Sequence, residues 1–343
     1  MEKGGGIMSL MLRGKRLYRA WRSYKQGVQF CHYYPLRLWV EPTNYCNLKC
    51  VMCPNGNGEP LPRGFMLLNQ FKEIIDQVAG MVNDIHLCHR GEALLHPDIV
   101  RMVAYAHSQG VAVRLNTNGT LMTQDLAGDL IDAGLDFISF SFDGLERESY
   151  EKVRRGADFN DTICRIVGFL EARARRKRGP ITMIEALDMG EHGLEQKKSE
   201  FLSNFRGLPV DLFRIKAMHN WGGHIELGAR RKNHSYVPCS NIWYAMVIGW
   251  DGAISPCPQD WYFRETLGNI EDMPLIHAWN SRRIMAIRRA VGGRHPEKVD
   301  ICRNCDLLWR EVIAGLPRLN LGAFLAEQFL GYGKLRRLIG RAK

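Results

Sequence analysis

The sequence predicts an α/β fold, a partial barrel of six strand–helix units, followed by a small C-terminal module. Two observations lead to this prediction. Short β-rich runs alternate with helical segments between residues 36 and 216, and the alternation stops after Asn220, where Trp, Gly, Pro and Cys become frequent. Alternating strands and helices imply a parallel sheet with helices outside. Six units suit a partial barrel, in which functional residues lie at the carboxyl ends of strands.

Each unit has its own local signal. The predicted strands are Leu36–Glu41, Asp84–Cys88, Ala112–Thr117, Phe137–Phe142, Ile181–Ala186 and Asp211–Lys216. The predicted helices are Leu68–Met81, Pro97–Gln109, Thr123–Ala133, one beginning at Glu146, Asp161–Arg178 and one near Glu195–Leu208. Apolar residues recur at helical spacing in these segments, and Thr123 and Gly134 are typical of a helix start and end. We expect Cys164, on the long fifth helix, to lie in the core.

Charge is concentrated at the two ends of the chain. The net charge is +11, and residues 1–38 carry +7 while residues 318–343 carry +5, so the remainder is close to neutral. We therefore divide the chain into a basic N-terminal extension (1–35), the partial barrel (36–219), the module (220–315) and a basic amphipathic C-terminal helix (316–343). A near-neutral body is not the pattern of a nucleic-acid groove across a catalytic face, so no nucleic-acid partner is expected.

The apolar stretches are too short for a membrane-spanning helix. The longest, such as Tyr244–Trp250, fall well below the roughly 20 residues needed to cross a bilayer. The apolar run Met8–Leu12 is followed at once by Arg13, which is not the pattern of a signal peptide. We therefore expect a cytoplasmic protein, in which ten cysteines favour metal or redox chemistry over disulfides.

Three cysteines lie within eight residues, as Cys46-x3-Cys50-x2-Cys53, directly after the first predicted strand. Three thiolates can bind three irons of a [4Fe–4S] cluster and leave the fourth iron open, whereas ordinary ferredoxin clusters use four cysteines. Zinc sites usually pair one Cys-x2-Cys with a second pair, so this spacing is not typical of zinc. The spacing favours an iron–sulfur cluster whose fourth iron binds a ligand other than protein.

This pattern resembles the signature of the radical S-adenosylmethionine (SAM) superfamily, with Met52 in the bulky position before the last cysteine. The resemblance implies a SAM-binding [4Fe–4S] cluster and SAM itself as cofactors, on a partial barrel. It also implies SAM-contacting residues, which we carry over position by position. They are Met52, Gly91 and Glu92 in a turn after the second strand, Asn118 after the third, Ser141 on the fourth, and Arg154 for the SAM carboxylate. Arg90 stands where the family has the first Gly of its Gly-Gly-Glu turn.

A second set of cysteines follows the barrel: Cys239, Cys257, Cys302 and Cys305. Two pairs of thiols can hold a zinc ion or a four-cysteine iron–sulfur cluster, and the spacing alone does not decide between them. Within the same superfamily, the pattern is similar to the shortened "twitch" form of the SPASM module. That similarity implies one auxiliary [4Fe–4S] cluster with four protein ligands, which favours electron transfer over substrate binding.

The resemblance also implies a reaction. A 5′-deoxyadenosyl radical would remove a hydrogen atom from a substrate, and similar twitch proteins include dehydrogenases of aminocyclitol antibiotics. The favoured expectation is an oxidoreductase that converts a hydroxyl-bearing carbon of a sugar or cyclitol to a ketone, with the auxiliary cluster as electron acceptor. An electron donor such as flavodoxin or ferredoxin is implied. Candidate bases for the hydroxyl proton are Glu185, Lys216 and His219. His219 is the first choice, because the ordinary pKa of histidine suits proton transfer near neutral pH.

Alternative hypotheses remain. One is C–H modification of a ribosomal peptide, and a second is epimerisation, for which a thiol near the SAM turn such as Cys88 could donate a hydrogen atom. A third starts from the aromatic residues Tyr18, Trp21 and Tyr24, which lie among basic residues in the N-terminal extension. Basic amphipathic helices with aromatics can lie on anionic membranes, so the substrate would then be a lipid or lipid-linked sugar at the inner face of the membrane. A non-enzymatic cluster protein would leave the SAM-like motifs unexplained.

Overall fold

The computed structural model describes residues 5–188, 194–225, 235–310, 312–313 and 316–317. Beyond Leu316–Pro317, the predicted C-terminal helix lies outside these residues. The helices are α1 (Gly5–Gln26), α2 (Pro54–Asn57), α3 (Leu68–Val78), α4 (Ile99–Ser108), α5 (Gln124–Asp132), α6 (Arg147–Val153), α7 (Phe159–Arg176), α8 (Leu194–Ser203), α9 (Asn241–Tyr244), α10 (Leu275–Trp279), α11 (Arg282–Gly292) and α12 (Asp300–Arg303). The strands are β1 (Arg37–Val40), β2 (Asp84–Leu87), β3 (Ala112–Thr117), β4 (Phe137–Ser141), β5 (Ile181–Asp188), β6 (Leu212–Ala217), β7 (Ser235–Tyr236), β8 (Ala245–Ile248), β9 (Ala253–Ser255), β10 (Gly268–Asn269), β11 (Trp309–Arg310), β12 (Val312–Ile313) and β13 (Leu316–Pro317).

The chain divides into two compact units. The first unit contains Met1–Trp39, Glu73–Ile85 and His219–Lys343, and the second contains Val40–Lys72 and His86–Met218. β1, β2 and α3 contribute residues to both units. Among the described residues, no helix combines the length and the apolar content that crossing a bilayer requires.

The second unit contains the predicted parallel sheet. Its strands follow the order β2-β3-β4-β5-β6, and the pairs β3–β4, β4–β5 and β5–β6 are parallel. In the part of the chain that the structure describes, the sheet ends at β6 and does not close into a ring. The structure therefore confirms the predicted α/β fold with an open, mostly parallel sheet.

The strand register gathers polar side chains on one face of this sheet. Because alternate residues of a strand point to the same face, aligned positions on neighbouring strands form rows. One row joins Asn116 to Ser139, and the next joins Ser141 to Glu185 and Arg214. We call this surface the polar face; its members are Arg114, Asn116, Ser139, Ser141, Glu185, Arg214 and Lys216.

The helices of the second unit begin and end largely where local chemistry predicts. The Thr123 hydroxyl accepts a hydrogen bond from the Leu126 amide at 3.1 Å and caps α5. α3 ends at Val78, three residues before the predicted end, since Gly80 lies in the left-handed region with φ of 71°. The prediction for Cys164 was wrong, because this residue lies on the exposed side of α7.

The first unit packs around buried tryptophans. β8, β9 and β10 form an antiparallel meander, in contrast to the parallel strands of the second unit. Trp243 and Trp279 are wholly buried, and the Arg288 guanidinium lies 4.3 Å from the centre of the Trp279 ring. Arg288 also donates to the carbonyls of Ile242 at 2.9 Å and Gln29 at 2.7 Å, which compensates its burial.

Candidate active site

The loop with the first three cysteines is fixed to the segment around α6. The Val51 amide donates to the Val153 carbonyl and the Lys49 amide to the Arg155 carbonyl, both at 3.0 Å. The buried side chains of this loop share one apolar cluster with Val153: Leu48, Cys50 and Met52 are members, and Cys46 and Cys53 pack against it. The three thiols predicted to hold the first cluster are thus gathered in one place.

The environment of these thiols suits metal binding. The pKa of Cys46 is raised to about 11 and that of Cys53 to about 12. Burial is the largest cause, and neighbouring thiols of the loop, with the Glu92 carboxylate beside Cys46, act in the same direction, while the Arg154 guanidinium acts against them. Cys50 is shifted in the same direction for the same first reason. Thiolates are the form that binds iron, so these groups need added positive charge, which bound iron supplies. A set of three thiols, of which Cys50 is buried and the other two are partly buried, fits a [4Fe–4S] cluster with one open iron.

Gly91 allows the turn after β2 to approach this loop closely. A Cβ atom at this position would lie 2.3 Å from the Thr43 carbonyl oxygen and 2.5 Å from that of Tyr45. The next residue, Glu92, donates its amide to the same Tyr45 carbonyl at 2.8 Å. Only glycine fits here, which gives Gly91 a steric role in addition to its predicted SAM contact.

The Glu92 carboxylate joins the ends of β2 and β3. It is 3 % exposed and accepts hydrogen bonds from the Leu94 amide at 3.1 Å, the Thr117 hydroxyl at 2.8 Å and the Asn118 amide at 2.7 Å. The Asn118 side chain in turn donates to Asn47, in the cysteine loop, at 2.9 Å. Glu92 and Asn118 therefore lie beside the cysteine loop, as their predicted SAM contacts require.

Arg154 keeps one donor available beside the thiols. Its Nη2 donates to Asp143 Oδ2 at 2.6 Å, and the other oxygen of Asp143 accepts from the Leu187 amide at 2.9 Å. Burial lowers the pKa of Arg154, but the carboxylate of Asp143, together with Cys50 and Tyr150, raises it above its usual value. Nε of Arg154 is buried, and no group among the described residues accepts a hydrogen bond from it. A buried donor of this kind can bind a carboxylate, which is the role predicted for Arg154 with SAM. Ser141, the other predicted SAM contact on this side, lies half-buried at the end of β4.

The structure brings together two of the three predicted bases. Glu185 on β5 is 4 % exposed and forms ion pairs with Lys216 and Arg214 on β6; Nε of Arg214 is 2.9 Å from its carboxylate. Burial raises the pKa of Glu185, but Lys216 and Arg214 together lower it below the usual value. Glu185 is therefore an ionised carboxylate on the polar face. The third predicted base, His219, belongs to the first unit, where its ring lies 4.4 Å from that of Trp221.

Sequence reasoning missed several buried or partly buried polar residues of the second unit. Arg214 was one, although it lies two residues before Lys216 on the same strand. Another is Glu41, which forms a two-pronged ion pair with Arg90 at 2.9 and 2.6 Å and explains the arginine in place of glycine. His86 Nε2 lies 2.8 Å from Asn116 Oδ1 and 3.5 Å from the Cys88 thiol.

The second set of cysteines is wholly contained in the first unit. Cys239, Cys257, Cys302 and Cys305 are all buried. Burial raises the pKa of Cys257, and Cys239, Cys305 and Cys302 raise it further, so the four thiols lie close enough to interact. The Gln259 amide donates to the Cys257 sulfur at 3.4 Å, a hydrogen bond of the kind that tunes iron–sulfur clusters. Four gathered thiols fit a cluster ligated by protein alone.

Carboxylates frame this second site. The buried Asp260 accepts hydrogen bonds from the Ser255 hydroxyl and from the amides of Arg264 and Glu265, each at 2.9 Å. Burial, the neighbouring thiols, and the carboxylates of Glu265 and Asp260 all raise the pKa of Cys302. Within the described parts of the chain, no three His, Cys, Asp or Glu side chains are placed to bind one metal ion. Both sets of thiols are assigned instead to iron–sulfur clusters, in which each thiolate binds its own iron.

Comparison with known proteins gives these sites a family. The family model of the radical SAM superfamily matches residues 40–171, and that of SPASM, an iron–sulfur cluster-binding domain, matches residues 239–306. A cofactor-modifying protein of the tungsten-containing aldehyde ferredoxin oxidoreductase from Pyrococcus furiosus is 34 % identical over 84 % of this chain and 99 % of its own length. The chain belongs to the radical SAM superfamily.

Other similarities are partial or more distant. The AdoMet-dependent heme synthase of Methanosarcina barkeri is 35 % identical, but over only 33 % of this chain and 33 % of its own length. The match thus spans about a third of that relative. The structure of BtrN in complex with AdoMet and 2-DOIA has a TM-score of 0.55 at 18 % identity, covering 79 % of this chain and 92 % of BtrN. This similarity shows the fold alone.

The matches confirm several predictions made from the sequence. The protein is a radical SAM enzyme with an auxiliary-cluster domain, and its cofactors are SAM, a SAM-binding [4Fe–4S] cluster and an auxiliary cluster. All seven cysteines assigned to the two sites lie inside the matched regions. The roles of individual residues stay predictions.

Proposed function

We propose that this radical SAM enzyme oxidises a hydroxyl-bearing carbon of a sugar or aminocyclitol to a ketone. The observation that carries the proposal is that the protein has both of two features. One is a buried site with four thiols, and the other is Glu185, an ionised carboxylate on the polar face. Oxidation of an alcohol must remove a hydrogen atom, a proton and an electron, so a proton acceptor and an electron acceptor are both needed.

When bound, the cofactors would supply a 5′-deoxyadenosyl radical at the first site and an acceptor for one electron at the second. Residues of this chain do the rest. Cys46, Cys50 and Cys53 hold the first cluster, while Arg154, with its unpartnered Nε, orients the SAM carboxylate. We assign Glu92 and the loop behind Gly91 to the SAM amino group.

Glu185 acts as the proton acceptor in this proposal. Its carboxylate is ionised at neutral pH because Lys216 and Arg214 lower its pKa. The two cations, whose side chains are 35 % and 38 % exposed, can hydrogen-bond substrate oxygens. They also hold the carboxylate in a fixed position. His219 remains the alternative base, and reduced flavodoxin or ferredoxin is the proposed electron donor.

The proposal is tested by following deuterium from substrate to cofactor. Reconstituted enzyme is incubated with aminocyclitols and sugars that carry deuterium on each hydroxyl-bearing carbon. We expect deuterium in 5′-deoxyadenosine together with an equimolar ketone. Cleavage of SAM without deuterium transfer from any of these carbons would argue against alcohol oxidation.

A double variant, Cys257→Ala with Cys302→Ala, separates the two clusters in the same assay. Iron should fall from about eight to about four atoms per chain, and ketone formation should fall at least about 100-fold while SAM cleavage persists. Cys164→Ala is the matched control, because Cys164 is exposed on α7 and belongs to neither site. Ketone formation that survives in the double variant would exclude the auxiliary cluster as electron acceptor.

A second candidate substrate is a cofactor. The observation that favours it is the similarity to the cofactor-modifying protein from Pyrococcus furiosus, which extends over 99 % of that relative. Adding the isolated cofactor of a tungsten-containing aldehyde ferredoxin oxidoreductase to the substrate panel tests this directly. A mass change in that cofactor, with no turnover of sugars or cyclitols, would favour this candidate over the first.

A further inference from the structure

Helix α1 packs with one side against the rest of the first unit. The guanidinium of Arg16 donates to the Val82 carbonyl at 3.2 Å, and Tyr24 donates its hydroxyl to the Pro238 carbonyl at 3.1 Å. Between them Ala20 is 4 % exposed. These contacts fix which side of the helix is turned away from the unit.

The opposite side of α1 exposes large apolar and aromatic side chains. Met11 is 64 % exposed, Leu12 47 %, Tyr18 59 % and Trp21 52 %. The rings of Tyr18 and Trp21 lie 5.9 Å apart and form one aromatic patch. Solvent-facing helices normally carry polar residues there, so four exposed apolar side chains on one helix indicate an interaction surface.

The same side is strongly basic. Lys15, Arg19, Arg22 and Lys25 are all exposed. Positions 11, 15, 18, 22 and 25 follow the spacing of three and four residues that forms a single helical stripe. No Asp or Glu occurs between residues 3 and 40, so nothing in this part of the sequence neutralises the stripe. We call the exposed side, with its four apolar and four basic residues, the outer face of α1.

We propose that the outer face of α1 binds the surface of an anionic lipid bilayer. The basic residues match the charge of phosphate headgroups, while tyrosine and tryptophan are the side chains that favour the boundary between headgroups and acyl chains. Met11 and Leu12 favour a membrane over nucleic acid, because phosphodiester backbones offer no apolar layer for aliphatic side chains. The helix would lie in the plane of the membrane with its inner side on the protein.

Flotation of the full-length protein with vesicles tests the proposal. Two lipid compositions are compared: phosphatidylcholine alone, and phosphatidylcholine with about 30 % phosphatidylglycerol. We expect binding to the anionic vesicles to be about tenfold stronger than to the neutral ones, and to weaken with added salt.

Two variants separate the apolar and the basic contributions. Tyr18→Ala with Trp21→Ala, and Lys15→Glu with Arg22→Glu, should each weaken binding to anionic vesicles about tenfold. The matched controls are Met81→Ala, an exposed apolar residue of the same unit, and Arg101→Glu with Arg175→Glu, exposed bases on α4 and α7. The controls should bind within about twofold of the parent protein. Circular dichroism melting and iron content verify that each variant is folded.

Three results would overturn the proposal. One is equal binding to neutral and anionic vesicles, or none to either. Another is undiminished binding by both α1 variants, which would assign the membrane contact to a different part of the chain. The third is displacement of the protein from vesicles by a single-stranded oligonucleotide at lower concentration than by free anionic vesicles, which would identify α1 as a nucleic-acid surface.

Discussion

The two cysteine sites of this protein are built in opposite ways. In the second unit, three thiols come from eight consecutive residues, Cys46–Cys53, in one loop. In the first unit, four thiols come from Cys239, Cys257 and the pair at Cys302 and Cys305, which are spread over 67 residues. The first site is therefore a property of a loop, whereas the second exists only when distant segments have folded together.

The charges around the two sites also differ. Arg154 lowers the pKa of all three thiols in the first set, although the carboxylate of Glu92 raises the pKa of Cys46 and Cys50. In the second set, the groups beside Cys302 are other thiols and the carboxylates of Glu265 and Asp260. A site with three thiols and a nearby cation leaves room for an anionic ligand such as a SAM carboxylate. A site with four thiols and nearby carboxylates favours a ligand set made of protein alone.

The largest expected effect comes from removing one ligand of the first cysteine site. Cys50→Ala removes one of three ligands from the loop, and with two thiolates left the cluster has too few ligands to persist. We expect iron to fall from about eight to about four atoms per chain and SAM cleavage to fall by at least about 1000-fold. Iron and sulfide analysis and quantification of 5′-deoxyadenosine measure both effects.

Cys164→Ala is the control for this loss, since it removes a thiol that belongs to neither set. It should leave both the iron content and SAM cleavage unchanged. Retention of eight irons in Cys50→Ala would contradict the assignment of Cys50 as a ligand.

The difference between the two sites explains which residues could be predicted from the sequence. Cys46, Cys50 and Cys53 could be assigned from the sequence because their spacing lies within a single loop. The strand–helix alternation was readable for a similar reason, since each element has its own local pattern of apolar residues. Cys164 was misplaced because the same helical pattern does not determine which side of α7 faces solvent.

The rest depends on contacts between distant residues. Arg214 meets Glu185 from 29 residues away, and Arg90 meets Glu41 from 49 residues away. Strand register brings Arg214 to Glu185, and a single residue of slip would turn either side chain to the other face of the sheet. The unpartnered Nε of Arg154 could likewise be recognised only in the folded structure.

The first cysteine site should be sensitive to a single methyl group added at Gly91. Gly91→Ala places a Cβ against the backbone carbonyls of Thr43 and Tyr45, which cannot move as a flexible side chain would. We expect a loss of about 3 kcal/mol in the free energy of unfolding, together with weaker SAM binding. Urea unfolding and equilibrium binding of SAM measure the two effects.

Gly168→Ala is the matched control for this substitution. Its added Cβ would meet only the Gln124 side chain, at ordinary contact distance, in the middle of α7. We expect it to be neutral or to stabilise the protein by up to about 1 kcal/mol, since alanine favours helix over glycine. An equal loss of stability in both variants would show that close packing behind Gly91 is not the cause.

The stability of the second cysteine site should depend on residues that are not ligands. Asp260 is wholly buried and accepts three hydrogen bonds that hold the chain after Cys257. Asp260→Asn replaces one acceptor oxygen by a donor, so we expect a loss of about 2 kcal/mol in the free energy of unfolding. The control is Asp272→Asn, at an exposed position, which should change it by less than about 0.5 kcal/mol. A neutral Asp260→Asn would mean that the frame of the second site does not rest on this carboxylate.

The smallest expected effect concerns a carboxylate that lies beside cations rather than thiols. Lys216 and Arg214 lower the pKa of Glu185 although burial raises it, so the ionised form is favoured in the folded protein. An acid whose folded pKa is lowered adds stability above its unfolded pKa of about 4.5, and this stability is lost as the pH falls through the folded pKa.

Glu185→Gln should therefore lower the free energy of unfolding by about 1 kcal/mol at neutral pH, and the difference from the parent protein should shrink below pH of about 4.5. Urea unfolding at a series of pH values measures this. Glu171→Gln, on the exposed side of α7, should show no such dependence. A difference that stays constant from neutral to acidic pH would show that Glu185 contributes packing rather than charge. Lys216 and Arg214 would then bind substrate without keeping Glu185 ionised as a proton acceptor. His219 would become the favoured base.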